Sequence, residues 1–460
     1  MHLAVVTPFP PAITGIGQYG YYVTRALANS GCFSQLTVLA GSSTDGETPN
    51  HLGLADIEYC WQPGSLNASP AILSRLKRLH PDLVWFNLGA SMFGRSPLSN
   101  VSGSLTPMFS KQIGFPTVVT LHELVEFADL RALNVPGGPF AYWGARLLTH
   151  IATHADLLCL TIRQYAERLS KRQLDCVHIP IGAYHEPELL DEYHSQELLF
   201  FTTLAPFKGL ELLIDAFHRL RKNYPRLNLK IAGTTHTRFP KYARELKKRF
   251  DGMEGIEWLG QVPEEQVKDL FRESQVVVVP YSASTGSSSV LYQAATWGRA
   301  IVASDLVEIR TLACESDLQI EFFQAGNAES LYHAIRALLD SPRRRRLQAE
   351  HNFNSVLPTR PEETGKRYIQ ALQSTCAWVY RKQDRDQHGY WLAIYVRLGV
   401  SLYLAVAICE GCRDGRASNR VQNSLYLVAI CERCRDGRTG RYRSNSQVES
   451  QSARGAGMEG

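Results

Sequence analysis

Two doubly wound α/β domains in tandem are predicted by three observations. Short, continuous apolar runs recur at strand length, turns and amphipathic stretches separate them, and the whole alternation stops and restarts once, near residues 184–196. Apolar runs of that kind suit strands buried on both faces of a parallel sheet. A chain of 460 residues has room for about two or three such domains, each able to bury its own core.

The elements follow in order. Leu3–Thr7 reads as the first strand, a turn punctuated by Gly15, Gly17 and Gly20 follows, and Tyr21–Asn29 reads as a helix. Leu36–Ala40, Leu83–Asn87, Thr117–Leu121, Asp156–Thr161 and Val177–Pro180 continue the strands, with an amphipathic segment at Ala71–Leu79. The charged, turn-prone stretch 184–196 is a linker. Strands then resume at Leu198–Thr202, Leu229–Ala232, Glu257–Leu259, Val276–Pro280 and Ala300–Ala303, with helices at Gly209–Asn223, Pro263–Glu273, Ser288–Trp297, Glu329–Leu339 and Glu363–Val379. The expected boundaries are a first domain at 1–183, a second at 197–360, a C-terminal helix at 361–380 and a tail at 381–460. Ligands of such folds bind in the crevice beyond the carboxyl ends of the strands.

Composition excludes several classes. With 44% hydrophobic and 20% charged residues the chain is neither disordered nor fibrous. The net charge of +5 belongs to the tail: residues 381–460 hold 13 Lys+Arg against 8 Asp+Glu, and the rest of the chain holds 36 of each. A neutral body argues against a nucleic-acid partner, which needs a basic surface to neutralise phosphates. The apolar run at the start breaks at Thr7-Pro8, too early for a signal peptide. Six singly scattered cysteines (Cys32, Cys60, Cys159, Cys176, Cys314, Cys376) suit buried, reduced thiols, and a cytoplasmic location is expected.

Three loops carry chemistry. The first, from Pro8 to Gly20, joins a strand to a helix, and Gly15 and Gly17 let backbone amides approach an anion such as a diphosphate; an ordinary βα turn reads the same way. The second, Thr202-Thr-Leu-Ala-Pro-Phe-Lys208-Gly209, repeats that strand-loop-helix placement and sets an ammonium at the mouth of the crevice. The third, Thr285-Gly286-Ser287-Ser-Ser, gathers glycine and hydroxyls at a helix start, more than a single N-cap requires, and suits a polyhydroxylated or anionic ligand.

Taken together, the run from Gly15 through Lys208-Gly209 to the loop between Thr285 and Gln293 resembles the retaining glycosyltransferases of family 4, which have the GT-B fold of two Rossmann-like domains facing across a cleft. Thr120-Leu-His122-Glu123 resembles the family's His-Asp segment, Ile179-Pro-Ile-Gly182 its Ile-Pro-Asn-Gly strand end, and Leu259-Gly-Gln-Val262 the stretch bordering the nucleotide base. The resemblance covers essentially all of the chain before residue 381. It implies transfer of a sugar from a nucleotide-sugar co-substrate, held by the second domain, to a glycan or lipid-linked acceptor held by the first, with no metal and no other cofactor. By the same resemblance Gly15 and Gly17 would present amides to the distal phosphate, Lys208 would neutralise the departing diphosphate, and His122 would hydrogen-bond the transferred sugar through ring or carbonyl. Thr285, Gly286 and Ser287 would border that sugar, and Gln293 would meet the ribose hydroxyls. The chain departs from the family at its Glu-x7-Glu motif, which is Thr285-x7-Gln293 here, and at the arginine that commonly precedes Lys-Gly, where Thr203 and Ala205 stand. Two further readings share the fold: a sugar-nucleotide epimerase, which would need acid/base carboxylates in the cleft, and a nucleotide-sugar-binding protein without turnover.

The tail is separate. Ser401–Arg416 and Ser424–Arg438 are near-copies that place Cys409-x2-Cys412 ahead of Cys431-x2-Cys434, a spacing that suits a four-cysteine zinc site but that duplication alone also generates. The apolar run 390–409 has the length of a membrane span, with Arg397 near its middle; a peripheral or disordered tail is the expectation. The basic clusters 241–249 and 343–346 read as solvated helix faces, the first of which could touch anionic headgroups beside a lipid-linked acceptor.

Overall fold

Apolar runs four to six residues long in the first half pair side by side, because each can bury both faces only between helices. In the computed structural model, which describes residues 1–397 apart from 12–13, 43–50, 54, 95, 134, 136–137, 193–195, 237 and 285, this half contains β1 (His2–Val6), α1 (Gly15–Asn29), β2 (Gln35–Gly41), β3 (His51–Leu52), β4 (Ala55–Trp61), α2 (Ala68–Leu79), β5 (Leu83–Leu88), α3 (Pro97–Ser104), α4 (Thr106–Gln112), β6 (Thr117–Leu121), α5 (Gly138–Ala152), β7 (Leu157–Leu160), α6 (Arg163–Ser170) and β8 (Cys176–His178). The strands form one sheet in the order β3-β4-β2-β1-β5-β6-β7-β8, parallel except for the β3–β4 edge pair.

The second half contains β9 (Glu197–Phe201), α7 (Leu210–Arg221), β10 (Asn228–Ala232), α8 (Tyr242–Arg249), β11 (Ile256–Gly260), α9 (Glu264–Glu273), β12 (Val276–Val279), α10 (Ser289–Thr296), β13 (Ala300–Ser304), α11 (Val307–Glu315), β14 (Glu321–Phe323), α12 (Ala328–Leu339), α13 (Pro342–Val356) and α14 (Pro361–Arg397). Its sheet runs β11-β10-β9-β12-β13-β14, all parallel. In both sheets the order reverses beside the first strand of the domain, the switch point at which such folds leave a crevice. The two doubly wound domains expected from the sequence are present.

Residues 1–384 form one compact unit, and residues from 385 onward belong to a second. After the second sheet the chain returns to the first domain through α14. Tyr368 lies fully buried there, its hydroxyl bonded to those of Tyr19 (2.8 Å) and Thr120 (2.9 Å), with its ring against Trp85. The helix expected at 361–380 continues to Arg397. Cys409, Cys412, Cys431 and Cys434, and with them the zinc expectation, lie outside the described residues. Among the described residues no helix is long and apolar enough to cross a membrane.

Several local expectations need correction. The first helix begins at Gly15, not Tyr21, because Thr14 adopts an extended backbone and caps it. The strand β4 is an addition: it reads Ala-Asp-Ile-Glu-Tyr-Cys-Trp, and its charged positions hide an edge-side strand from a search for continuous apolar runs. Arg345, expected on a solvated face, is buried; it pairs with Glu192 and donates to the Leu338 carbonyl at 2.7 Å. Cys32 and Cys314 are exposed thiols rather than buried ones.

Candidate active site

Four neighbouring strands of the first sheet, β1, β5, β6 and β7, each carry a polar residue at or just past the carboxyl end: Thr7, Asn87, His122 and Thr161, all buried. They are wired together. The Asn87 amide nitrogen donates to Thr7 Oγ1 and to the Ile16 carbonyl, both at 2.9 Å, which turns its oxygen toward His122. The His122 Nε2–H therefore donates to Asn87 Oδ1 at 2.6 Å, and Asn87 fixes the tautomer. Tyr19 packs edge-on against the imidazole, with ring centroids 4.6 Å apart. Burial pushes His122 down to about 3, so the ring is neutral at ordinary pH.

Because Ile16 lies in the first turn of α1, the same chain ties the Gly15–Gly17 loop to His122. Gly15 is exposed at the helix start, whereas Gly17 is buried and its amide donates to Thr14 Oγ1 at 2.9 Å. That bond engages the Gly17 amide within the loop as the N-cap of α1.

On the other side, Lys208 lies in the turn between β9 and α7. Gly209 follows at φ +70, where a Cβ would fall 1.8 Å from the Pro280 carbonyl, so only glycine brings this turn against β12. Lys208 Nζ sits 3.7 Å from the centre of the Tyr281 ring, half-buried and without a carboxylate partner among the described residues. A second cation is close by. The loop after β10 carries His236 and Arg238, and His236 is pushed down to about 4, first by burial and then by the positive charges of Arg238 and Lys208. Burial also lowers Arg238 from its ordinary value, and its guanidinium donates to the first-domain carbonyl of Leu133 at 3.1 Å. Lys208, His236 and Arg238 thus form one electropositive corner at the carboxyl end of the second sheet.

The two sides meet at the hydroxyl-rich loop. Gly286 forms an antiparallel bridge with Glu123, and a Cβ on Gly286 would lie 2.2 Å from the His122 carbonyl, so the absent side chain is what allows the approach. Ser287 Oγ donates to Thr161 Oγ1 at 2.9 Å. Thr285 lies outside the described residues. Gln293 is buried in α10, with its backbone carbonyl accepting from Trp297. The structure therefore brings His122, Gly286 and Ser287 together and places Lys208 in a separate corner with Arg238. A small apolar pocket opens beside Glu123, lined by Gly89, Leu121 and Leu124 and closed by Leu148 and Thr149 of α5. The Ala90 amide donates to Glu123 Oε1 at 2.8 Å at its edge.

Two domains meeting across a crevice, with a cationic corner on one wall and polar strand ends on the other, is an arrangement also found in known proteins. Residues 195–341 match the family described as "Glycosyl transferases group 1". The chain is similar to the phosphatidyl-myo-inositol mannosyltransferase of Mycobacterium leprae, with 25% identity over 352 residues, covering 74% of this chain and 87% of that protein. The chain is a glycosyltransferase. The namesake protein of Mycolicibacterium smegmatis is 28% identical over 151 residues, covering 31% of this chain and 38% of that one. Among solved structures, sucrose-phosphate synthase from Thermosynechococcus elongatus superposes with a TM-score of 0.63 at 16% identity, covering 82% of this chain and 99% of that one. Anabaena HepE in complex with UDP-glucose superposes with a TM-score of 0.62 at 15% identity, covering 81% and 100%. These likenesses give this glycosyltransferase the GT-B fold.

Reading the sequence missed two site residues. Arg238 was overlooked because an arginine was sought just before Lys208; the available signal was the basic loop that follows the apolar strand Leu229–Ala232. Asn87 was counted as a strand end, although a lone amide closing an apolar run at the level of Thr7 and His122 marks a buried polar partner.

Proposed function

We propose that this glycosyltransferase is a retaining enzyme of family 4 that moves a hexosyl group from a nucleoside-diphosphate sugar to a lipid-linked acceptor. The observation that carries the reading is the corner formed by Lys208, His236 and Arg238, a place for a diphosphate at the carboxyl edge of the second sheet. The bond from the sugar's anomeric carbon to the diphosphate breaks as the acceptor oxygen attacks, and the acceptor proton passes to the leaving phosphate. Lys208 and Arg238 stabilise the charge that develops on that leaving group, a task for fixed electrostatics in a site shielded from water. No metal enters this scheme. Across the cleft, the neutral His122 positions its carbonyl beside Gly286 and Ser287, where the transferred sugar would be bordered. The M. leprae relative is named for a lipid acceptor, which favours a lipid-linked acceptor over a free glycan here. The enzyme meets that acceptor at a membrane surface.

A thermal-shift panel of UDP-, GDP- and ADP-sugars tests the reading, followed by transfer assays with the donor that binds. A true donor at about one hundred times its dissociation constant raises stability by ~2.7 kcal/mol. Transfer that survives EDTA and yields an axial linkage from an axial donor supports the proposal; a folded protein that no donor stabilises overturns it.

A further inference from the structure

The outer face of α5 is unusually apolar for a surface helix. Phe140 is 85% exposed, Trp143 72% and Leu147 53%, and their i, i+3, i+7 spacing sets them in one stripe. Arg146 and His150 lie beside the stripe, Tyr142 borders it, and α5 contains no acidic residue. The three acids between β6 and α5 are already engaged: Glu123 accepts from the Ala90 amide, Glu126 pairs with Arg172, and Asp129 accepts from the amides of Arg131 and Ala132. An exposed aromatic stripe flanked by the Arg146 guanidinium, on a helix free of carboxylates, has the chemistry of an interfacial helix at an anionic lipid surface, where tryptophan and phenylalanine sit at headgroup depth.

The other face of α5 says where such a surface would bring its lipid. Leu148, Thr149 and Ala152 close the apolar pocket beside Glu123, and Ala145 packs in a cluster with Ala205, Phe207 and Ala283 from the loops around Lys208. One helix therefore carries the exposed stripe on one side and the wall of the cleft on the other. We infer that α5 docks the enzyme on an anionic membrane through Phe140, Trp143 and Leu147, so that a lipid-linked acceptor enters the cleft along the helix. This rests on the lipid-acceptor reading above. It also moves the membrane contact from the basic helix α8, where the sequence suggested it, to the first domain.

The full chain is tested against vesicles of phosphatidylcholine and phosphatidylglycerol mixed about two to one, with acyl-chain-brominated phosphatidylcholine as quencher. Trp143 emission is expected to be quenched, and the quenched component to vanish in Trp143→Phe. Phe140→Ala/Trp143→Ala/Leu147→Ala should lower vesicle partitioning at least about tenfold, while Lys247→Glu/Lys248→Glu leaves it within about twofold. Quenching unchanged in Trp143→Phe overturns the proposal and assigns any membrane binding to another segment. Loss of self-association in the triple variant with vesicle binding intact overturns it in favour of a protein partner. The donor-induced thermal shift, measured without vesicles, is expected to be the same in the triple variant and the parent chain. Absence of that shift in both counts against the transferase reading alone and leaves the vesicle result standing.

Discussion

The two walls of the cleft are built on opposite plans. On the first-domain wall the polar groups at the strand ends are bonded to one another: Thr7, Asn87, His122 and the Ile16 carbonyl form one closed chain beneath Tyr19. On the second-domain wall Lys208 rests against the face of Tyr281 with no carboxylate to neutralise it among the described residues, beside Arg238 and His236. The first plan fixes geometry, since every buried polar group that gains a partner also loses freedom to move. The second keeps charge in reserve, since an unpaired cation keeps its attraction for an incoming anion. Substitutions on the first wall should therefore act mainly on stability, and those on the second mainly on turnover.

The sharpest test is Lys208→Ala. Removal of a cation that acts on the leaving diphosphate is expected to lower kcat/KM about 10²–10³-fold, with the melting temperature of the donor-free protein little changed. A large loss of stability instead would break the contrast. Asn87→Ala should do the reverse. It leaves the His122 Nε2–H unpaired in a buried site and should cost about 1–3 kcal/mol of unfolding free energy in denaturant titrations. Arg238→Gln tests whether the second cation shares the work. A loss of about tenfold in kcat/KM fits a helper at the rim, whereas no change in donor binding or turnover would leave Lys208 to act alone.

The smallest effect is one of pH. His122 has its value lowered from 6.5 to about 3 in the fold, so the unfolded chain binds the proton first. Its contribution is fully present above about pH 6.5 and is lost as pH falls from there toward 3, by up to about 1.4 kcal/mol per unit. Unfolding titrations at pH 7 and pH 5.5 should show that slope weakened in His122→Asn. If the slope is unchanged, His122 is not the neutral, buried ring described here.

Much of this architecture could be read before folding. Runs such as Val276–Val279 and Val118–Leu121 have one physical solution, burial between helices, so their strands were legible from composition alone. The turn at Lys208-Gly209 was legible for a similar reason, because few sequences can follow a strand with a cation and a left-handed glycine. What stayed hidden depended on partners far away in sequence. β4 is a strand because β2 lies beside it, and Arg345 is buried because Glu192, in the linker, reaches it. The approach of Gly286 to His122 is of this kind too: the sequence shows a small residue in a hydroxyl-rich loop, and only the fold shows that a carbonyl from the other domain fills the space a side chain would take. Arg238 could be seen as a basic residue, yet its nearness to Lys208 comes from the adjacency of β9 and β10.

The position of Tyr368 bears on how the protein is made. Its hydroxyl bonds to Tyr19, 349 positions earlier, and to Thr120, and its ring lies against Trp85, all three in the first domain. A ribosome delivers that domain first and the closing helix last, so the nascent first domain waits through synthesis of the whole second domain with Trp85 and Tyr19 uncovered on one side. Chains that stop before residue 361 would release a first domain that is apolar where α14 should lie. Such fragments are natural clients for chaperones and proteases, so the cell has a built-in way to tell a finished enzyme from an interrupted one.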